Sequence, residues 1–173
     1  MKVSLIANIS INGKVLVSDN PTYQLPKEAL TFYLDLAHQI GNLVIGFNTF
    51  ENFQNSPQEV KDLFKGIEII VLSNNTHHPI EGYTFVNSPE DAITYMATKG
   101  ITELAIGGGT GIFNAFIDKE LVTDLYFNIN PLFIGGSDIL GMQNNLSTKF
   151  DIVTHKVKNE FLQLHLTKSK SYN

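Results

Sequence analysis

Apolar residues fall along this chain in short, turn-bounded runs that alternate with stretches of helical spacing. Val3 to Ile11 has the pattern of a buried strand; Asn12-Gly13 closes it as a turn, and Lys14 to Val17 reads as a short continuation. A further turn is expected through Ser18 to Pro21. From Pro26 to Ile40, apolar side chains at Ala29, Phe32, Tyr33, Leu36, Ala37 and Ile40 recur at the helical period, with Pro26 suited to the first turn and Gly41 to the end. Leu43 to Ile45 is a short strand ending at Gly46, after which Phe47 to Phe53 opens another helical turn. Ser56-Pro57-Gln58-Glu59 predicts a capping box with proline at the first helical position, leading a short helix through Val60, Leu63 and Phe64. Strands are expected at Ile67 to Leu72 and Tyr83 to Val86, and Ser88-Pro89-Glu90-Asp91 starts a helix that ends near Gly100. After Leu121 the pattern turns to strands: Asp124 to Asn130, a turn through Pro131 and Gly135-Gly136, then Phe150 to Lys158 and Glu160 to Thr167 as a hairpin around Asn159. Alternating strands and helices followed by a strand-rich end imply an α/β fold: a mostly parallel sheet, covered on both faces, with an antiparallel edge. Ligands of such sheets bind in a cleft at the strand ends.

The densest chemical signal lies between Glu103 and Phe116. An apolar run, Leu104-Ala105-Ile106, enters Gly107-Gly108-Gly109, and the amphipathic pattern of Ile112, Phe113, Phe116 and Ile117 leaves it. Glycines let the backbone turn tightly and approach a ligand, and the free N–H groups and positive dipole end of the next helix favour an anion. A dinucleotide pyrophosphate fits that description; a sharp strand-to-helix connection is the alternative. The spacing is not the Rossmann fingerprint, because counting from Gly107 puts Ile112 sixth and counting from Gly109 puts Asn114 there. No Gly-Lys-Ser/Thr tripeptide occurs, so it is not a Walker A loop either.

Composition narrows the partners. The 173 residues are of single-domain size, and 43% hydrophobic with 17% charged residues is ordinary for a globular chain. A formal net charge of −5 with dispersed cations argues against nucleic acid or an anionic membrane and leaves a small-molecule partner. Cysteine is absent, which removes disulfides, thiolate catalysis and cysteine-ligated zinc and makes a cytoplasmic location the expectation. The N-terminus alternates apolar residues with Asn and Ser in the manner of a strand and not of a signal peptide, and no run approaches the roughly 20 apolar residues of a membrane span. All twelve basic residues are lysine.

Glu28, in the first turn of the long helix, is either a solvated carboxylate stabilised by the helix dipole or, if that turn faces the cleft, a proton holder whose apolar setting beside Phe32 favours the protonated form. Thr49 and Ser73-Asn74 place small polar side chains after two further strand ends, where a phosphate or ribose would lie, although each also suits a cap or turn. His77-His78 are adjacent and face different ways, and the other histidines are scattered, so no metal site is expected. No Gly-x-Ser-x-Gly elbow supports a serine hydrolase.

Four blocks together carry a resemblance: SLIANISINGKV (Ser4 to Val15), NLVIGFNTFENF (Asn42 to Phe53), IIVLSNN (Ile69 to Asn75) and LAIGGGTGIFNAFIDKELVTDLYFNINPLFIGGSDIL (Leu104 to Leu140). With them the chain resembles the dihydrofolate reductase-like superfamily over almost its whole length, and most closely the branch typified by the C-terminal reductase domain of the bifunctional riboflavin biosynthesis enzyme. The resemblance implies a three-layer α/β/α domain over residues 1–173 with a central mixed, mostly parallel sheet and an antiparallel C-terminal edge hairpin. It implies reduction of a ribosylaminopyrimidine or pterin-like heterocycle by NADPH. Cofactor contacts would come from Ala7, Asn8, Val15, Gly46, Thr49, Leu72, Ser73, Asn74, Ile106, Gly107, Gly108, Gly109, Thr110, Gly111 and Ile112. Substrate would lie against Ile6, Glu28, Phe32 and Asn128, with Glu28 catalytic as the proton source. Relatives often pair as homodimers. Phe47 stands where folate enzymes usually place an arginine, and Asn12 where the riboflavin-type branch generally has aspartate. Glu28 matches the folate enzymes' acidic substrate residue, but the absence of any arginine removes the bidentate partner for a folate glutamate carboxylate. The riboflavin-type reductase is therefore the leading expectation, with dihydrofolate reductase and an inactive NADPH-binding module behind it.

Overall fold

The computed structural model describes residues 1–16, 22–75, 78–136 and 138–170. Val17, the turn expected at Ser18 to Pro21, and His77 lie outside the described residues. In chain order the elements are β1 (Lys2–Ser10), α1 (Lys27–Ile40), β2 (Asn42–Gly46), α2 (Phe47–Gln54), α3 (Gln58–Asp62), β3 (Glu68–Leu72), β4 (Thr84–Val86), α4 (Pro89–Thr98), β5 (Glu103–Gly108), α5 (Thr110–Ile117), β6 (Asp124–Asn130), β7 (Phe150–Val157) and β8 (Leu162–Lys168).

The strands form one eight-stranded sheet in the order β4-β3-β2-β5-β1-β6-β8-β7. Every pairing from β4 to β6 is parallel, and β6, β8 and β7 pair antiparallel, so the mixed sheet with its C-terminal edge hairpin is as expected. Strand alternation splits the interior into two cores. Leu5, Ala7, Val44, Ile70, Leu104 and Ile106 pack with Ala92 and Met96 of α4 and Phe113 and Phe116 of α5. Ile6, Leu43, Ile45, Ile69, Val71 and Ala105 pack on the other face with Ala37 of α1 and Phe50 of α2. Helices thus cover both faces of the parallel half of the sheet.

Two expected starts come out differently. Ser88 caps α4 as predicted, its side chain accepting from Asp91 N at 3.1 Å with Pro89 at the first helical position. The capping box at Ser56 does not form: Pro57 itself occupies the N-cap of α3 without a side-chain bond, and Ser56 Oγ donates instead to Asn52 O at 2.9 Å. So few residues separate α2 from α3 that the serine completes the end of one helix and is not available to start the next. Likewise Lys14 to Val15 is not a strand continuation but a pair of isolated bridges, Ile9 to Val15 and Lys14 to Ile139.

Candidate active site

The C-terminal ends of β3, β2, β5, β1 and β6 lie side by side, and the predicted polar residues gather there. At β5 the register to β2 shifts, Val44 facing Ile106 but Ile45 facing Gly108, so Gly107 is the extra residue of a bulge. A Cβ there would collide with Leu43 Cδ1 at 2.7 Å and with the Tyr33 hydroxyl, which donates to Gly107 O at 3.2 Å from beneath. Burial pushes the Tyr33 pKa up, so it remains a neutral donor. Gly108 has φ +110°, a backbone region that favours glycine, with Phe113 packed 3.0 Å from where its Cβ would be.

The bulge and turn deliver Gly109 as the N-cap of α5, and Gly109 N donates to Thr49 Oγ1 at 3.1 Å. Thr49 is in the first turn of α2, whose N-cap is Gly46, and Gly46 is so close to α5 that a Cβ would come within 2.7 Å of Ile112 Cγ1. Two helix N-termini therefore converge on the glycine loop. Ile112 and Phe113 turn their N–H groups back to Gly109 O, while those of Thr110 and Gly111 precede any acceptor the helix can offer. A Cβ on Gly111 would meet nothing within 4 Å, so this corner opens outward. N–H groups, hydroxyls and two positive dipole ends fit a phosphate-bearing group such as a dinucleotide.

On the other side of β5, Asn128 is 2% exposed, and its Nδ2 donates to Asn8 Oδ1 at 3.0 Å and to Ala29 O at 3.3 Å, tying β6 to β1 and to the first turn of α1. Its Oδ1 is buried with no partner. Glu28 precedes Ala29, and Phe32 follows one turn later, half-buried.

A match to the RibD C-terminal domain family runs over residues 1–172. The chain belongs to that family. Among solved structures, a protein from Shewanella sp. PV-4 named for riboflavin biosynthesis is 20% identical with a TM-score of 0.72, covering 98% of this chain and 100% of that one. A pyrimidine reductase-like protein of Corynebacterium diphtheriae is 13% identical with a TM-score of 0.74, covering 98% and 92%. Dihydrofolate reductase of Enterococcus faecalis, solved in complex with NADP(H) and RAB-propyl, is 20% identical with a TM-score of 0.73, covering 98% and 97%. No curated protein matches. The fold is therefore that of the dihydrofolate reductase-like superfamily, and its family places the chain among reductases of that superfamily.

Within the RibD C-terminal frame the expected residues divide into three groups. Gly46, Thr49, Gly107, Gly108, Gly109, Thr110, Gly111 and Ile112 meet at the two helix starts; Ser73 and exposed Asn74 follow the end of β3, next to β2. Asn8, Asn128 and the start of α1 meet on the neighbouring strands, so the Asn8 side chain sits with the substrate-side residues. Ile6, Ala7, Val15, Leu72 and Ile106 are at most 8% exposed, their side chains packed in the cores, and only their backbone can line a ligand. Glu28 differs from the sequence expectation. Its carboxylate is exposed at the start of α1, so the apolar setting invoked for it is not present in the protein alone. Among the described residues no cluster of His, Cys, Asp and Glu could hold a metal, and no helix is long and apolar enough to cross a membrane.

Two supports of this site depend on contacts between residues distant in the chain. Tyr33 props the Gly107 bulge from below, and Asn12 fixes the turn after β1 by donating to Ile134 O at 2.9 Å and accepting from Ile134 N at 3.3 Å. An aspartate could not make the first of these bonds, which gives the Asn12 departure a physical reason.

Proposed function

We propose that this chain is an NADPH-dependent reductase of the riboflavin-biosynthesis type, resembling 5-amino-6-(5-phosphoribosylamino)uracil reductase and acting on a ribosylaminopyrimidine or related heterocycle. The observation that carries the reading is the juxtaposition of two helix N-termini at Gly109 with a buried, unpaired acceptor at Asn128 two strands away. One half of the cleft suits a pyrophosphate, the other a heterocycle that donates N–H.

When bound, the nicotinamide supplies a hydride to carbon. Thr110 and Gly111 would hold the pyrophosphate through their backbone N–H groups, with Thr49 and Ser73-Asn74 toward the adenosine end. Asn8, Asn128 and Phe32 orient the substrate, and Glu28 or a bound water delivers the proton to the reduced nitrogen or oxygen. Because Glu28 is solvated in the protein alone, its role depends on substrate covering it. NADPH oxidation with the aminopyrimidine substrate tests the activity, and Glu28→Gln tests the proton route: retention of full activity from about pH 5 to about pH 9 would remove Glu28 from it.

A second reading, dihydrofolate reduction, is favoured by Glu28 alone and is separated by comparing turnover of the two substrates at matched concentration. Tight NADPH binding with no oxidation by any pyrimidine or pterin would instead indicate an inactive cofactor-binding module. The same proposal includes a cytoplasmic location, supported by the absence of cysteine, and a homodimer, supported by the exposed apolar residues Ile152 and Val157 of the C-terminal hairpin.

A further inference from the structure

On the α1 side of the sheet, helix cover stops short of the C-terminal strands. α1 packs on β1, β2 and β5, and β6, β8 and β7 continue past it. The register places Asn8, Asn128, Gln163 and Lys156 in one line across β1, β6, β8 and β7. Directly paired residues project to the same face, so the line is a continuous polar strip. Tyr126, stacked on His165 with ring centroids 4.1 Å apart, borders it on one side, and Asn130 on the other. Exposure increases along it, from buried Asn128 through half-buried Gln163 to exposed Lys156. Lys156 has no ion-pair partner among the described residues.

Asn128 carries an acceptor without a partner. Ala29 O can only accept, so the Asn128 amide nitrogen must face it, which fixes the side chain's orientation and turns Oδ1 away without a partner. Buried Asn42 is not left this way: it donates to Glu103 O at 2.9 Å and accepts from Ala105 N at 3.1 Å. A buried carbonyl oxygen without a donor is a strong acceptor.

We propose that this strip is the substrate's recognition groove. Asn128 Oδ1 accepts from a ring N–H or amino group of the heterocycle, Gln163 hydrogen-bonds a polar linker, and Lys156 pairs with an anionic group at the far end. Adjacent strands lie about 4.8 Å apart, so Lys156 is about 10 Å from Asn128 at the backbone, a span suited to a heterocycle joined to an anion through a sugar-length chain. The inference rests on the reductase reading and names the determinants of its substrate. The anion is a phosphate monoester or a carboxylate, and binding distinguishes them.

The test measures calorimetric affinity on the full chain with NADP⁺ present, for 5-amino-6-ribitylaminouracil with and without its 5′-phosphate, and for folate against its bis-carboxamide, in which both glutamate carboxylates are neutral amides. In the unmodified chain one member of a pair gains roughly tenfold in affinity from its anion, and Lys156→Gln removes that gain while leaving the uncharged partner's affinity unchanged. A gain confined to the ribityl pair identifies phosphate, and one confined to the folate pair identifies carboxylate. Gln163→Leu weakens both members of the favoured pair by the same factor. Equal affinities within both pairs, or gains that survive Lys156→Gln, overturn the groove. Anion-dependent binding through Lys156 without NADPH turnover supports the groove and refutes the reductase reading; turnover without Lys156 dependence does the reverse.

Discussion

Asparagine side chains do much of the backbone's work in this protein. Asn12 pairs with both polar groups of Ile134, Asn42 bridges Glu103 and Ala105, and Asn114 donates to Ile139 O at 3.0 Å while accepting from Gly141 N at 2.8 Å. Each replaces a missing strand partner by an amide that both donates and accepts. Asn128 is the exception, and replacing it separates stability from function. Asn128→Leu removes two donated bonds but also an unpaired buried oxygen, so denaturant titration is expected to show a stability change within about 1 kcal/mol. Affinity for the heterocycle falls by about tenfold or more. The glycines of the loop likewise divide by physics. Gly108, at φ +110° against Phe113, cannot carry a side chain without strain, so Gly108→Val would confuse loss of folding with loss of binding. Gly111 faces open space. Gly111→Asp should fold with unchanged or slightly higher stability, since a carboxylate in the first helical turn favours the dipole, yet it should weaken NADPH binding by about tenfold through repulsion of the pyrophosphate. Fluorescence titration with NADPH checks this, and unchanged affinity would move the cofactor elsewhere.

At the scale of elements, hydrophobic period placed nearly every helix and strand, and the errors lie where two elements meet. The Ser88 start was legible because nothing competes for its hydroxyl; the Ser56 start was not, because Asn52 O was close enough to take it. Position on the sheet also decides how elements are fastened. α4 is tied to β3 by Lys99, whose Nζ lies 2.6 Å from Glu68 Oε2, and by Tyr95, whose hydroxyl donates to Glu68 Oε1 at 2.6 Å. Desolvation alone would raise the Glu68 pKa, but the bonds from Lys99 and Tyr95 outweigh it and hold the carboxyl below its ordinary value. A carboxylate depressed in the folded state adds stability that is complete above the unfolded pKa of about 4.3 and is lost as pH falls through the folded value. Glu68→Gln should therefore lower the Tm by roughly 1–3 °C at neutral pH, a modest effect because the pair is partly solvated. Thermal melts across the acid range should show that difference closing as Glu68 protonates.

For the whole molecule, the two faces of the C-terminal hairpin have opposite character. On β8, Leu162, Leu164 and Leu166 alternate with Gln163, His165 and Thr167. The leucine side continues into Leu125, Phe127 and Ile129 of β6 and into Ile152, His155 and Val157 of β7, of which Ile152 and Val157 are 67% and 79% exposed. An apolar sheet face this open fits a second copy of the chain. Light scattering should give a dimer for the native chain and a monomer for the Ile152→Lys, Val157→Lys double variant; a monomeric native chain would refute the pairing. Several things were determined by the sequence alone: the order of elements, the parallel core with its antiparallel edge, the glycine turn and the family, all of which follow from periodicity and short motifs local in the chain. Tertiary structure decided the rest. The convergence of α2 with α5 at Gly109, the exposure of Glu28 and the line from Asn8 to Lys156 join residues far apart in sequence, and only strand order and register determine which side chains become neighbours. The glycine loop marked where a phosphate could bind, but the unpaired oxygen of Asn128, on which the proposed recognition of the heterocycle rests, exists only once α1 and β6 have packed together.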